Sequence, residues 1–132
     1  MEEHWTDNIL EDRAVSYGLF ERCKQFVLAV WAFCDEIPTT ATGRNVTYQL
    51  TKSASSVGAN FRAAFRGRSA KEYIAKLGIA LEESDETCYW LELIQSYDQW
   101  EKLHQEAAIL YKEADELTAI ITSLIKKKKQ QQ

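Results

Sequence analysis

The stretch Ser56-Val57-Gly58-Ala59-Asn60-Phe61-Arg62-Ala63-Ala64-Phe65-Arg66-Gly67-Arg68-Ser69 decides the fold, because it holds the end of one helix, a link of very few residues, and the start of the next. Read back to Arg44, it closes a helix whose face runs Val46, Leu50, Ser53, Val57, Asn60 and Ala64 at alternating steps of four and three. That is the period of a bundle seam, yet half its members are small or polar. Such a stripe lets a second helix approach closely, and Ser53 and Asn60 then need hydrogen-bond partners if buried. Gly58 costs about 0.5–1 kcal/mol relative to alanine inside a helix, which predicts a bend or a close backbone contact. Gly67 is expected to end this helix, and Ser69 with Glu72 three residues on forms a capping box that opens the next. Two helices joined so tightly lie antiparallel, side by side.

Working outward, a first helix is expected over about residues 17–37, with Phe20, Cys23, Val27, Val30, Trp31 and Cys34 on one face and Pro38 as its stop. Thr39-Thr40-Ala41-Thr42-Gly43 is a turn whose threonines can cap the following helix. The third helix continues to about Tyr97 along Leu77, Leu81, Ser84, Cys88, Leu91 and Ile94. Asp98 with Glu101 repeats the capping-box pattern and starts a fourth helix through Leu103, Ala107, Leu110, Ala114, Leu117, Ile121 and Leu124. The expected fold is therefore all-α, an antiparallel up-down-up-down four-helix bundle over residues 17–125. Residues 1–16 form an N-terminal arm and 126–132 a basic and polar C-terminal tail.

With 132 residues, 45% of them hydrophobic, one proline and five glycines, the composition fits one globular helical domain. No apolar run approaches the ~20 residues that cross a bilayer, and Met1-Glu2-Glu3-His4 lacks the basic start of a signal peptide, so a cytoplasmic location is expected. Three cysteines at unremarkable spacing suit a reducing compartment, where Cys23, Cys34 and Cys88 read as buried thiols.

Net charge is −4, but its distribution is uneven. Residues 44–81 carry seven basic groups and one acidic, whereas residues 82–125 carry two basic and eleven acidic. Lys126 to Lys129 then add four cations. A basic segment therefore faces an acidic one across the expected helix-two to helix-three hairpin.

The run Gln49-Leu50-Thr51-Lys52-Ser53-Ala54-Ser55-Ser56-Val57-Gly58-Ala59-Asn60, followed by Arg62, Arg66, Arg68, Ser69 and Glu72, then Lys76 to Ala80 with Glu82, Glu83, Glu86 and Trp90-Leu91-Glu92-Leu93, resembles the bacterial "four helix bundle protein" family. That family includes the 23S rRNA intervening-sequence proteins and, distantly, the accessory protein of diversity-generating retroelements. The resemblance implies a non-enzymatic homopentameric ring without cofactors. It also implies a nucleic-acid connection, to RNA or DNA, and a partner such as a reverse transcriptase.

On that footing Lys52, Arg62, Arg66, Arg68, Lys71 and Lys76 are candidate phosphate contacts, with Phe61, Phe65 and Tyr73 interleaved to stack bases. The competing reading pairs these cations with helix-three carboxylates, within the bundle or between subunits. Ser53, Asn60, Glu82, Glu86 and Trp90 are the candidate interface or structural residues. Trp31 reads as a core or interface anchor, and Trp5 and Trp100 as subunit contacts. The lysine run is read as a solubilising tail, with nucleic-acid contact as the alternative. Two rival functions remain: a purely structural protein–protein assembly unit, and a di-metal carboxylate enzyme. The second needs two Glu-x-x-His pairs, and only Glu101 with His104 is present, His4 lying in the arm. No metal ligands and no catalytic residues are assigned, since no histidine is placed to activate a cysteine.

Overall fold

The structure, a computed structural model, describes the backbone of residues 2–131 and the side chains of residues 17–131. Four helices follow one another: α1 (Glu2–Cys34), α2 (Ala41–Ala64), α3 (Ala70–Ser96) and α4 (His104–Gln130), with a 3-10 helix (Asp98–Leu103) between the last two. Each helix packs on the next and α1 touches α4 most sparingly, which is the expected four-helix bundle opened along one side. Among the described residues, no helix is long and apolar enough to cross a membrane.

Local chemistry explains the corners. Thr40 caps α2, its hydroxyl accepting from the Gly43 N–H at 3.0 Å. A Cβ at Gly43 would collide with the Pro38 carbonyl, so this buried glycine lets the proline corner fold onto α2. Helix α2 therefore begins three residues before Arg44. At the other end, Gly67 does not take a left-handed cap: no described residue has a positive φ, and α2 ends at Ala64. What glycine supplies there is closeness, because an added Cβ would stand 3.0 Å from the Ala64 carbonyl and 3.3 Å from the Tyr73 N–H nitrogen. Ser69 does cap α3, accepting from Glu72 N–H at 3.1 Å. The Glu72 carboxylate turns instead to Arg68, 3.7 Å away.

The second expected capping box fails. Asp98 starts a 3-10 turn without a side-chain cap, and α4 begins at His104. Trp100 is the cause: its indole is buried, edge-on to Tyr97 at 5.0 Å, and its backbone leaves helical geometry at φ −112°, ψ 34° to put it there. Trp100 is thus a core residue and not a subunit contact. Burying a tryptophan outweighs the ~1 kcal/mol of a cap.

The core seam of α1 is also shifted from the expected one. Cys23, Phe26, Val30, Phe33 and Ile37 are buried at steps of three and four, while Val27 sits on the flank and Trp31 is 47% exposed. Both stripes satisfy the helical period, and the one carrying two phenylalanines buries more apolar area. Helix α1 continues back to Glu2, through the stretch expected as an arm; the expectations for His4 and Trp5 fall outside the described side chains.

Candidate interaction surfaces

The inner seam contains the hydroxyl pairs that its small residues called for. Ser53 is fully buried, and Thr87 from α3 donates to its Oγ at 2.9 Å while Ser53 donates to the Leu50 carbonyl at 3.3 Å. Across the next interface, Ser84 bonds the Ala114 carbonyl of α4 at 3.2 Å and lies 2.5 Å from Thr118 Oγ1. Thr87 and Thr118 were missed by sequence reading; the signal was their place one turn from Ser84 and Ala114 on otherwise apolar faces. Asn60 behaves differently. It is half-buried and its amide donates to Ser56 of its own helix, to the carbonyl at 3.0 Å and to Oγ at 2.9 Å, so it bridges no helices.

Gly58 produces contact: α2 is unbroken, and a Cβ there would meet Val27 Cγ2 of α1 at 3.3 Å. Just outside this contact, α1 and α2 leave a groove of about 710 Å³ whose floor includes Val27, Phe61 and Ala59. Its lips carry Leu28 and Trp31, 43% and 47% exposed, on one side and Arg62 and Arg66 on the other. Trp31 leans across the groove, its Nε1 donating to Ser55 Oγ at 3.0 Å. Among the described residues, neither Arg62 nor Arg66 has an ion-pair partner, so the α3 carboxylates of the same subunit do not neutralise them.

The other named cations scatter. Lys52 is exposed, 5.9 Å from the Tyr48 ring, and Lys76 is half-buried. Arg68 and Lys71 are exposed at the α2–α3 corner. Base stacking by the interleaved aromatics does not survive the structure, because Phe61, Phe65 and Tyr73 are all buried, Phe65 packing edge-on against Tyr73 at 5.1 Å. The only strong ion pair of the described residues was not anticipated: Arg22 on α1 grips Glu113 on α4 through two bonds, Nε to Oε2 at 2.8 Å and Nη2 to Oε1 at 2.7 Å. It spans a second, smaller groove of about 450 Å³ along the open side.

On α3, Glu82 and Glu86 are exposed and Trp90 is half-buried, its Nε1 donating to Glu86 at 3.3 Å. The two glutamates belong to a second heptad-spaced stripe that faces away from the core, Ala75, Ile79, Glu82, Glu86, Tyr89 and Leu93, with Trp90 beside it. Ile79, Tyr89 and Leu93 are 40%, 52% and 40% exposed. Burial and the neighbouring Glu86 charge push the Glu83 carboxyl above its usual range, with Lys52 opposing them.

The three cysteines are buried. Burial drives the Cys23 thiol up to about 11, and Cys34 and Cys88 also upward, so each stays protonated at neutral pH. His104 Nε2 sits 2.9 Å from the Tyr97 carbonyl, and no group of three or more metal-ligating side chains comes together among the described residues.

A family model described as 23S rRNA-intervening sequence protein matches residues 17–123. A solved structure from Bacteroides thetaiotaomicron, described as a protein with unknown function from the S23 ribosomal protein family, is similar to this chain with a TM-score of 0.67 and 26% identity, over 84% of this chain and 97% of its own. No curated protein matches.

Proposed function

The chain belongs to the 23S rRNA-intervening sequence protein family, and from that premise we propose that it is a non-enzymatic, homo-oligomeric helical scaffold, an accessory subunit of a nucleic-acid-associated complex. One observation carries the assembly half: Arg62 and Arg66 stand exposed beside an apolar groove and, among the described residues, neither is in an ion pair, Glu21 lining the same groove from α1. The α3 stripe has the matching chemistry, carboxylates at Glu82 and Glu86 set among exposed Ile79, Tyr89 and Leu93.

Both surfaces are helical and both belong to every copy. Docking the stripe of one copy into the groove of the next removes apolar area from water and places arginines opposite glutamates. The two patches are different, so the contact is head-to-tail and closes into a ring when its rotation permits. The apolar part drives association and the charges select the partner helix.

Light scattering tests this. The wild type is expected to be an oligomer at micromolar concentration, Arg62→Glu with Arg66→Glu to be a monomer of unchanged helicity, and that variant mixed with Glu82→Arg/Glu86→Arg to assemble again. A monomeric wild type removes the scaffold reading, and a swap variant that assembles normally removes the groove from it. A second reading, assembly without nucleic acid, is favoured by the eleven acidic groups of residues 82–125. The experiment of the next subsection separates the two.

A further inference from the structure

The lysine run does not behave as a solvated tail. Helix α4 continues unbroken through it to Gln130, and Lys128 is 97% buried, its ammonium 5.4 Å from the centre of the Tyr73 ring. Tyr73 is the first core residue of α3, hydrogen-bonded to Ser69 and packed against Phe65 at the end of α2. Lys128 therefore pins the last turn of α4 to the corner where α2 passes into α3. A lysine stem laid against an aromatic ring gives apolar contact and cation–π attraction together.

Because Lys128 is held there, its helical neighbours are held too. Lys126 and Lys129 are exposed on the same final turn, and Arg68 and Lys71 are exposed on the corner that Tyr73 anchors. Two basic segments more than fifty residues apart in sequence thus meet at one pole of the bundle. The carboxylates that the described side chains place nearby are Glu72, already turned to Arg68, and Glu21 on the α1 lip of the groove.

We propose that this pole, built from Arg68, Lys71, Lys126 and Lys129 around the Lys128 pin, is the site where the protein binds the phosphate backbone of RNA. The inference rests on the nucleic-acid half of the proposed function and gives it a location distinct from the docking groove. Because Lys126 and Lys129 ride on an ordered helical turn and Arg68 and Lys71 on an ordered corner, these cations can meet neighbouring phosphates without the entropic cost of ordering a flexible tail. Phe61, Phe65 and Tyr73 are buried and offer no ring to a base, so the contact proposed for this pole is by charge and spacing and tolerates any sequence.

The test is fluorescence anisotropy of the full chain with a labelled RNA hairpin of arbitrary sequence, titrated at several salt concentrations, with light scattering on the same samples. Expected are binding at low salt and a log–log salt slope of about −3 to −4, as four neutralised phosphates require. Arg68→Glu/Lys71→Glu and Lys126→Glu/Lys129→Glu are each expected to lose affinity about tenfold or more, while the oligomer persists. RNA binding that ignores the Lys126/Lys129 variant, or that is lost with Arg62→Glu/Arg66→Glu in a chain still assembled, overturns the pole while leaving the nucleic-acid reading standing. Absence of RNA binding at low salt overturns both, and tighter binding of polyglutamate than of RNA reassigns the pole to an acidic protein.

Discussion

The two flanks of this bundle are built on different terms. Between α2, α3 and α4, the contacting faces are closed by Leu50, Leu77, Leu91 and Leu117, and each interface is pinned by one buried hydroxyl pair, Ser53 with Thr87 or Ser84 with Thr118. Around α1, grooves of about 710 and 450 Å³ run along both sides, and the ion pairs that the described side chains make to α4 are those of Arg22 with Glu113 and Glu116, on the surface. The contrast teaches where stability is made and where surface is kept available. Helices α2, α3 and α4 close on one another along apolar seams, and α1 leaves grooved edges on the surface.

The sharpest way to break this contrast is to open the closed side. Leu91→Ala removes a fully buried side chain from α3 and is expected to cost about 2–5 kcal/mol in chemical denaturation. A cost under about 1 kcal/mol would mean that the closed seams are no tighter than the α1 side. Thr87→Val keeps the volume but takes the donor from buried Ser53, with an expected loss of about 1–3 kcal/mol in the same measurement. On the open side, Arg22→Ala strips the α1–α4 clamp; both partners are about a third exposed, so about 0.5–1 kcal/mol is expected, falling further with added salt. If Arg22→Ala cost more than Thr87→Val, the open flank would be structural after all.

Much of this molecule was legible in its residues, and where it was not the reason is physical. Helical period, Pro38, the Thr40 cap and the Ser69 cap were enough to give four antiparallel helices, since each acts within a turn of its own position. The α1 seam was misjudged because Cys23 and Val30 belong equally to two overlapping stripes, and only the neighbouring helices decide between Phe26–Phe33 and Val27–Trp31. Trp100 overrode a good cap by burying its indole, a trade visible only in three dimensions. The candidate cations Lys52, Arg62, Arg66, Arg68, Lys71 and Lys76 lie on several faces of the bundle, and sequence could not say that Lys128 folds inward against Tyr73. Nor could it say that Asn60, placed on the seam by period, would satisfy itself within one turn.

Trp31 has a practical consequence. An indole standing half in solvent on the groove lip, tethered by one bond to Ser55, emits at longer wavelength and is quenched more readily than the enclosed indole of Trp100. Covering the lip would move that emission toward the blue and shield it from a soluble quencher. The protein thus carries its own optical gauge of whether the groove is filled, readable by dilution without a label.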